Sequence, residues 1–361
     1  MKIIMLSHEY PPKAGGAGVV ANLYIEEFVR AGHQITLLTS SISEKQFVPE
    51  GVESRYVKQV KIIWPLLYVL FYLKNLKLFL NADKIVINDM ASIYWTGLVF
   101  SKKMFKKSIC MVHGIEKKLD TPSLLDKLLI FRRMITRSYK QCASIIAVSE
   151  YIAREFFGQL EKDELINKTS VVYSPSHVDG ACVHEIIPVD TKNKIILTVS
   201  RLEKGKGFDL MLESLKTFNE SEKDWLWLIV GDGAYSSTFR NAIPTNLKNK
   251  IKFTGSVEKE KLLSYYNEAD VFFLLSQLKE AYGLVYVEAL SQGVPIVAFN
   301  SGGPKEIVKN GINGYLVSDA HEAVDALKNV NTLSKKEILS TYDKFSKFVF
   351  SRKIDELFND D

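Results

Sequence analysis

The sequence predicts two doubly wound α/β domains, each built on a parallel sheet that helices cover on both faces. Short, continuous apolar runs alternate with helical stretches along most of the chain, and such runs are typical of buried parallel strands. The alternation breaks off near Tyr173 and starts again at Lys194. With 361 residues, the chain also has about twice the length of a typical domain.

The apolar runs place each strand in order along the chain. In the first half, the predicted strands are residues 2–7, 34–39, 84–88, 108–112 and 144–148, and a helix over 17–31 ends at Gly32. In the second half, they are residues 194–199, 225–230, 251–254, 271–275 and 295–299, with a helix near 208–218. The segment between the halves contains Gly180 and Pro188 and lacks helical periodicity, which is typical of a linker.

These elements divide the chain into four parts. We predict an N-terminal Rossmann-like domain over residues 1–175, a linker over 176–192 and a second Rossmann-like domain over 193–335. Residues 336–361 are expected to form a helical segment that packs back toward the first domain. Because ligands of doubly wound sheets bind beyond the carboxyl ends of the strands, the expected site is a cleft between the two domains.

The composition is that of an ordinary globular protein. Hydrophobic residues make up 47% and charged residues 25%, which argues against a disordered or fibrous chain. Cys110, Cys142 and Cys182 form no C-x-x-C pair and no zinc spacing, which favours a reducing, cytoplasmic location. The N-terminus lacks the features of a signal peptide, and the apolar run 62–73 is shorter than the ~20 residues of a membrane-spanning helix.

The net charge of +5 is unevenly distributed along the chain. Residues 1–180 carry +7 and residues 181–361 carry −2, and two segments are both apolar and basic, from Lys61 to Leu80 and from Leu124 to Lys140. Basic amphipathic helices bind anionic membrane surfaces. Helices that pack in a core and expose a solvated basic face show the same pattern, so both interpretations stay open. No nucleic-acid recognition motif accompanies the positive charge.

The loop after the first strand is rich in glycine. Residues 16–21 spell G-x-G-x-x-A, beginning at Gly16, and this resembles a dinucleotide-binding fingerprint. That interpretation is disfavoured because two prolines interrupt the loop and no acid follows the second strand to hold a ribose. A glycine loop at a helix N-terminus, where backbone N–H groups approach an anion or a sugar, fits better. A plain turn is the alternative.

A second glycine-rich loop follows the strand 194–199 and carries the cations Arg201 and Lys206, five positions apart. At the carboxyl edge of a sheet these side chains suit a diphosphate, Arg201 through bidentate hydrogen bonds and Lys206 as a point charge. A solvated loop with surface ion pairs would contain the same residue types. This loop alone therefore leaves both interpretations open.

The third feature is a pair of carboxylates, Glu280 and Glu288, around the start of a helix predicted near Gly283. Eight residues of helix rise roughly 12 Å, about the reach of a diphosphate with a sugar at each end. The N–H groups of Gly283, Leu284 and Val285 would point at the phosphates, and carboxylates accept hydrogen bonds from sugar hydroxyls. Without such a ligand, Glu280 would be an acid at a helix start and Glu288 a surface residue.

With these features the chain resembles glycosyltransferase family 4, the retaining nucleotide-sugar transferases of the GT-B architecture. The motifs that carry the resemblance are PPKAGGAG, His113-Gly114, IAVSE, SRLEKGKGFDL, IVGDG, IKFTGSV, EAYGLVYVEAL and GVPIVAFNSGGPKEIVKNGINGYLV, and they span nearly the whole chain. One stretch departs from the family, which often has an Asn-Gly-Val-Asp-like turn after Tyr173. Here the residues from Ser174 to Asp179 contain no Asn-Gly, and only Asp179 matches.

The resemblance implies a role for each matched residue of the second domain. Arg201 and Lys206 would bind the donor diphosphate, and Glu288 would hold the ribose hydroxyls. Glu280 would contact the donor hexose near the reacting carbon. The helix N-terminus at Gly283, Leu284 and Val285 would offer backbone N–H groups to the phosphate, and Ser256 and Val257 would face the base.

The resemblance also implies a mechanism. The family retains anomeric configuration by a front-face displacement in which the departing diphosphate oxygen takes the acceptor's proton. Here His113 and Glu280 would be the catalytic residues, and Gly16 would lie against the donor. No two aspartates sit in a D-x-D spacing, so neither a metal ion nor a cofactor is expected.

The expected function is transfer of a hexose from a UDP- or GDP-sugar to a glycan or lipid-linked acceptor. The product would belong to a cell-surface polysaccharide such as lipopolysaccharide, O-antigen, capsule or exopolysaccharide, made on the inner face of the cytoplasmic membrane. Sugar-nucleotide epimerases and phosphorylases share the two-domain architecture and stay as alternatives, as does a non-catalytic sugar-nucleotide-binding scaffold on the membrane. The PPKAGGAG loop and the Glu280–Glu288 frame favour the transferase.

Overall fold

The computed structural model describes residues 1–11, 15–40, 48–57, 64–114, 130–160, 162–178 and 193–359. The chain divides into two compact units. One unit comprises Met1–Ser174 together with Phe350–Asp361, and the other comprises Pro175–Val349. Residues 336–349, which the sequence groups with the C-terminal segment, belong to the second unit. Residues 179–192 of the predicted linker lie outside the described residues.

Within these ranges, the first unit is built on a parallel seven-stranded sheet in the order β3-β2-β1-β4-β5-β6-β7. The strands are β1 Lys2–Leu6, β2 Gln34–Ser40, β3 Glu53–Val57, β4 Lys84–Ile87, β5 Ser108–Val112, β6 Ser144–Ala147 and β7 Thr169–Val171. The order reverses between β1 and β4, which lie side by side. The loops beyond the carboxyl ends of these two strands are therefore the place where such a sheet binds a ligand.

The helices of the first unit surround this sheet, and all five residues of β5 are buried. They are α1 Gly16–Arg30, α2 Trp64–Lys74, α3 Leu76–Asn81, α4 Met90–Val99, α5 Lys102–Phe105, α6 Phe131–Gln141 and α7 Glu150–Leu160. The end of the chain also packs in this unit, where the ring of Phe350 lies 5.1 Å from that of Tyr24 and the ring of Phe358 lies 4.7 Å from that of Phe28.

The second unit has its own parallel sheet, described as six strands in the order β10-β9-β8-β11-β12-β13. The strands are β8 Lys194–Val199, β9 Trp225–Val230, β10 Ile251–Gly255, β11 Val271–Leu274, β12 Ile296–Phe299 and β13 Gly314–Val317. Every residue of β9 and β11 is buried, as expected for strands covered on both faces. Here the order reverses between β8 and β11, so the loops that follow these strands form the switch point of the sheet.

Helices alternate with the strands of the second unit. They are α8 Phe208–Ser221, α9 Ser236–Ala242, α10 Lys259–Asn267, α11 Leu284–Ser291, α12 Pro304–Ile307, α13 Ala320–Asn329 and α14 Lys335–Tyr342. The last helix, α15 Lys347–Asn359, begins in the second unit and belongs to the first unit from Phe350 onward. No helix within the described ranges combines the length and the apolar character that crossing a bilayer requires.

The predicted strands are confirmed, and their ends agree with the structure to within about one residue. The sequence did not predict β3, β7 and β13, and all three lie at the edges of their sheets. An edge strand pairs on one side only and tolerates polar residues, as ESRYV in β3 illustrates. The continuous apolar run that reveals a central strand is therefore missing from these segments.

Candidate functional site

The loops at the switch point of the second unit bring Lys206 and Glu280 together. Lys206 follows β8 and Glu280 follows β11, and the Lys206 Nζ lies 2.6 Å from the Glu280 Oε1. The Ser276 hydroxyl donates to the same oxygen at 2.7 Å. The side chains of Lys206 and Glu280 are 15% and 18% exposed, so the ion pair is shielded on most sides and still reachable by a ligand.

The backbone also joins these two loops. The N–H groups of Gln277 and Leu278 both donate to the carbonyl oxygen of Gly205, at 2.8 and 3.2 Å. Gly207 has a φ of 81°, and a Cβ at this position would collide with the carbonyl oxygen of Leu275. Only glycine therefore satisfies both the left-handed backbone and the close approach of the two loops.

Substituting Gly207 by alanine is expected to lower the free energy of unfolding by roughly 3 kcal/mol, from the left-handed backbone and the collision together. Gly311→Ala is a matched control, because its φ is 72° but a Cβ there meets no described atom within 4 Å. The Gly311→Ala substitution should lower the free energy of unfolding by only about 1–2 kcal/mol. Urea unfolding of both variants measures the difference, and equal losses would show that the loop contact imposes no constraint.

Arg201 lies in the same loop as Lys206 but in a different environment. Its side chain is 64% exposed, and its guanidinium lies 2.8 Å from the Glu203 carboxylate. An exposed pair of this kind adds little to stability. The structure therefore brings Lys206, but not Arg201, into the pair with Glu280, and Arg201 stays available to a ligand from solvent.

The helix α11 begins at Leu284, as predicted near Gly283. Gly283 has a φ of 94°, and a Cβ there would collide with the ring of Tyr286, so this position also requires glycine. The first N–H groups of an α-helix, here those of Leu284 and Val285, have no partner within the helix. Together with the helix dipole they suit an anion.

Glu288 is buried, at 1% exposure, so the alternative that it is a surface residue is wrong. Its Oε2 accepts a hydrogen bond from the Tyr266 hydroxyl at 2.7 Å. Its Oε1 lies 2.6 Å from Nδ1 of His177. Sequence reasoning missed His177, although the signal was present in the departure of its turn from the family pattern. Asp179, the matching residue of that turn, lies outside the described residues.

Three further predicted site residues lie elsewhere in the fold. Ser256 and Val257 follow β10, at the edge of the second sheet; Ser256 is exposed and Val257 partly so. Gly16, in the first unit, is the first residue of α1. A Cβ at Gly16 would meet no described atom within 4 Å, whereas one at Gly18 would lie 2.8 Å from the Glu9 carbonyl oxygen. Packing thus requires glycine at position 18 and leaves position 16 open toward solvent.

His113 lies just beyond β5 in the first unit. Its Nε2 is 2.8 Å from Oδ1 of Asn88, while the Asn88 amide donates to Ser7 Oγ at 2.9 Å and to the Ala17 carbonyl oxygen at 3.0 Å. Because Oδ1 only accepts, Nε2 carries the proton of the neutral ring. Burial lowers the pKa of His113 to about 4. The residue is therefore a neutral, fixed imidazole at physiological pH.

This lowered pKa predicts a pH-dependent stability. The unfolded histidine titrates near pH 6.5 and the folded one near 4, so between these values the unfolded state binds the extra proton. The free energy of unfolding should fall as the pH falls from 6.5 to 4, by roughly 3 kcal/mol at most. Denaturation of wild type and His113→Gln across this pH range measures how much of this fall in unfolding free energy comes from His113.

His321→Gln is a control at an exposed histidine, and its unfolding free energy should change with pH as that of wild type does. If His113→Gln also keeps the wild-type pH dependence, His113 is not its cause.

Two protein-family models match the chain. Residues 14–173 match the family described as Glycosyltransferase Family 4, and residues 183–349 match the family described as Glycosyl transferases group 1. An uncharacterized glycosyltransferase of Methanocaldococcus jannaschii is 25% identical over 338 residues, which are 88% of this chain and 85% of that protein. These matches include both units.

Other relatives share part of the chain. A GDP-mannose-dependent monoacylated alpha-(1-6)-phosphatidylinositol monomannoside mannosyltransferase of Corynebacterium glutamicum is 30% identical over 178 residues, 45% of either protein. An uncharacterized protein in the cps region of Klebsiella pneumoniae is 30% identical over 237 residues, 63% of this chain. The chain spans only 62% of that protein and 59% of the Bacillus subtilis spore coat protein SA.

Solved structures with the same fold cover almost the whole chain. The lipopolysaccharide outer core galactosyltransferase WaaB, in its apo form, has a TM-score of 0.71 at 17% identity over 99% of both chains. Anabaena HepE in complex with UDP has a TM-score of 0.72 at 18% identity over 99% of this chain and 100% of that chain. At these identities the likeness shows the fold, and the predicted GT-B architecture of two Rossmann-like domains is confirmed.

Proposed function

We propose a specific reaction for this chain, which belongs to the family 4 group of GT-B glycosyltransferases: transfer of a hexose, with retention, from a nucleotide sugar to a glycan or lipid-linked acceptor. The product is a cell-surface polysaccharide. The Lys206–Glu280 pair at the switch point of the second sheet is the observation that carries this proposal. Relatives named for GDP-mannose dependence and a neighbour solved with UDP support a UDP- or GDP-sugar donor.

The donor binds to the second unit through complementary charges. Lys206 holds the diphosphate, since an ammonium has three donors and can bind a phosphate while it keeps its contact with Glu280. Arg201 binds the same diphosphate from the exposed side, and the N–H groups of Leu284 and Val285 complete its surroundings. Both contacts of Glu280 fall on Oε1, so Oε2 is the oxygen assigned to the donor hexose.

Catalysis follows from the same charges. When the glycosidic bond breaks, negative charge develops on the diphosphate, and Lys206 and Arg201 stabilise it where it forms. The Glu280 carboxylate stabilises positive charge on the sugar ring. The departing phosphate oxygen accepts the proton of the acceptor hydroxyl, so the new bond forms on the face that the leaving group vacates and the configuration is retained. His113 remains the proposed catalytic residue of the first unit.

The first unit also presents an apolar surface that suits a membrane. Leu66, Leu70, Leu73 and Leu80 of α2 and α3 are between 44% and 59% exposed, whereas Tyr68, Tyr72 and Phe79 of the same helices are buried. Seven lysines lie along residues 64–107, at positions 74, 77, 84, 102, 103, 106 and 107. The acids of that stretch, Asp83 and Asp89, accept hydrogen bonds from backbone N–H groups. We assign this leucine face to an anionic membrane surface that carries the acceptor.

The second apolar and basic segment, from Leu124 to Lys140, fits better the alternative of a helix that packs in the core and exposes a basic face. Its described part is α6, where Ile135 is buried and Arg137 donates to the carbonyl oxygens of Gly97 and Phe100. The apolar face of α6 thus belongs to the core of the first unit, and the part from Leu124 to residue 129 lies outside the described residues.

Vesicle co-sedimentation tests the leucine face. The chain should bind vesicles that contain phosphatidylglycerol and should bind vesicles of phosphatidylcholine alone much more weakly. Leu70→Glu should weaken binding by at least about tenfold, because one leucine contributes roughly 1.5–3 kcal/mol when buried. Leu339→Glu changes a similarly exposed leucine in the second unit and should bind as wild type does. If both substitutions weaken vesicle binding equally, the leucine face is not the surface that binds the membrane.

A donor screen tests the reaction itself. Purified chain is mixed with UDP-, GDP- and ADP-sugars, and release of the nucleotide measures slow hydrolysis of the donor. We expect turnover of one UDP- or GDP-sugar, unaffected by EDTA because the two cations neutralise the diphosphate. Loss of turnover on EDTA treatment would overturn the metal independence, and conversion of the sugar without nucleotide release would indicate an epimerase.

A further inference from the structure

Asn88 lies at the switch point of the first sheet and is fully buried. It directly follows β4, and its backbone N–H donates to the Leu6 carbonyl oxygen at 2.9 Å, which continues the ladder between β4 and β1. This bond places Asn88 beside Ser7, at the start of the glycine-rich loop that follows β1. Asn88 is not part of the motifs that carry the family resemblance, so the sequence did not indicate it as a site residue.

The hydrogen bonds of Asn88 fix the direction of its amide. The amide nitrogen donates to the Ala17 carbonyl oxygen at 3.0 Å and to Ser7 Oγ at 2.9 Å. A carbonyl oxygen only accepts, and the Ser7 hydroxyl donates its own proton to the Glu9 carbonyl oxygen at 2.6 Å. Both contacts therefore require the NH₂ group, since a flipped amide would place an oxygen against two acceptors. The amide oxygen, Oδ1, is left to face His113.

This amide in turn sets the state of the His113 imidazole. Nε2 of His113 lies 2.8 Å from Oδ1 of Asn88, so Nε2 carries the ring proton and Nδ1 keeps its lone pair. His113 is partly exposed, so a ligand can reach the ring while Asn88 stays covered. Two backbone carbonyls, those of Glu9 and Ala17, thus determine through one amide which nitrogen of the imidazole accepts.

We propose that Asn88 is a positioning residue for sugar transfer: it holds His113 in the tautomer protonated on Nε2, so that Nδ1 accepts a hydrogen bond from a sugar hydroxyl. This proposal rests on the proposed function, in which His113 is a catalytic residue of the first unit. Because the same amide binds Ser7 and Ala17, it also ties the two ends of the glycine-rich loop to the imidazole. Nδ1 only accepts a hydrogen bond, so this contact itself transfers no proton.

The tautomer is measurable without substrate. Nitrogen-15 NMR of the histidine rings at pH 8, where histidines are neutral, distinguishes a proton on Nε2 from one on Nδ1, and His113→Gln assigns the signal. We expect His113 of wild type to carry its proton on Nε2. Asn88→Leu has a similar shape but no acceptor, so its ring should become a mixture of both tautomers. A wild-type ring protonated mainly on Nδ1, or an unchanged tautomer in Asn88→Leu, would overturn the proposal.

Asn88→Asp is the conservative variant. Its carboxylate keeps an acceptor oxygen for Nε2 but cannot donate to Ser7 and Ala17. The variant should therefore lose stability and still keep the His113 proton on Nε2 at pH 8. If Asn88→Asp folds and loses this tautomer as Asn88→Leu does, the acceptor oxygen is not what sets the ring, and the proposal fails.

Kinetics with the donor found in the screen measure the consequence for transfer. Asn88→Leu should lower kcat by about tenfold, the loss typical of one hydrogen bond in a desolvated site. KM for the donor should change little, because the proposed diphosphate contacts lie in the second unit. Asn88→Asp should retain more of the wild-type kcat at pH 8. An equal loss of kcat in both variants would show that the tautomer does not control the rate.

Asn313 supplies a matched control in the second unit. It is also fully buried, and its side chain makes the same set of contacts: Oδ1 accepts from a backbone N–H at 2.7 Å, and the amide nitrogen donates to a carbonyl oxygen at 3.0 Å and to a hydroxyl at 2.8 Å. Asn313→Leu should therefore destabilise the chain as Asn88→Leu does, while His113 keeps its proton on Nε2 and kcat stays near wild type. An equal loss of kcat in both leucine variants would assign the effect to stability alone.

Two outcomes separate this inference from the proposed function. If wild type turns over no nucleotide sugar, the proposed function fails, and the role of Asn88 in transfer fails with it. If wild type is active and Asn88→Leu keeps the wild-type kcat, only the inference is overturned.

Discussion

Replacing Glu280 by glutamine is expected to slow sugar transfer by roughly 100- to 1000-fold, the loss typical of one preorganised electrostatic group. Glutamine has the same shape, and its amide oxygen can still accept from Lys206 and Ser276, which both contact Oε1 in the wild-type chain. Only the negative charge beside the sugar is lost. Steady-state kinetics with the donor found in the screen would measure kcat, and calorimetry would measure nucleotide affinity.

Glu203→Gln is the matched control for this substitution. Glu203 lies in the same loop as Lys206, and its ion pair with Arg201 is exposed, so its loss should change kcat little. Wild-type turnover in Glu280→Gln would refute the role of Glu280. A decrease in kcat accompanied by loss of folded structure would show that the carboxylate is structural, which circular dichroism would detect.

Replacing Lys206 by alanine is expected to weaken nucleotide diphosphate binding by roughly 10- to 100-fold, since hydrogen bonds to charged groups contribute about 1.5–3 kcal/mol. The reason is that the Lys206 side chain is only 15% exposed, so its attraction for a phosphate is screened less than at an exposed site. The substitution also leaves the Glu280 carboxylate beside the diphosphate without its cation. Calorimetric titration with UDP and GDP measures the loss.

Arg201→Ala should have a smaller effect that fades with salt. The Arg201 side chain is 64% exposed, and interactions of exposed charges weaken as ionic strength rises. Titrations at low and high salt would therefore separate the two cations. Unchanged affinity in Lys206→Ala would remove Lys206 from the site, and a larger loss for Arg201→Ala at both salt concentrations would reverse the order of their importance.

Much of the fold was predictable because its central strands are continuous apolar runs. The order of strands in each sheet follows from the doubly wound pattern, and the glycines that precede helices marked the loops. The contacts within the candidate site were harder to predict from the sequence. Lys206 and Glu280 are 74 positions apart, so no local spacing reveals that they form an ion pair. His177, which contacts Glu288, lies in a segment without helix or strand, and hydrophobic periodicity does not predict the contacts of such a segment.

The two loops of the proposed donor site share hydrogen bonds through Gly205 and a close approach at Gly207. The backbone of one loop therefore cannot move at these points without displacing the backbone of the other. To transfer the sugar preference of a relative to this chain, residues 200–208 and 275–283 would have to be exchanged together. If only one segment were exchanged, it would face a loop from a different protein whose backbone does not fit it. We expect such a chimera to lose activity and not to accept a new substrate.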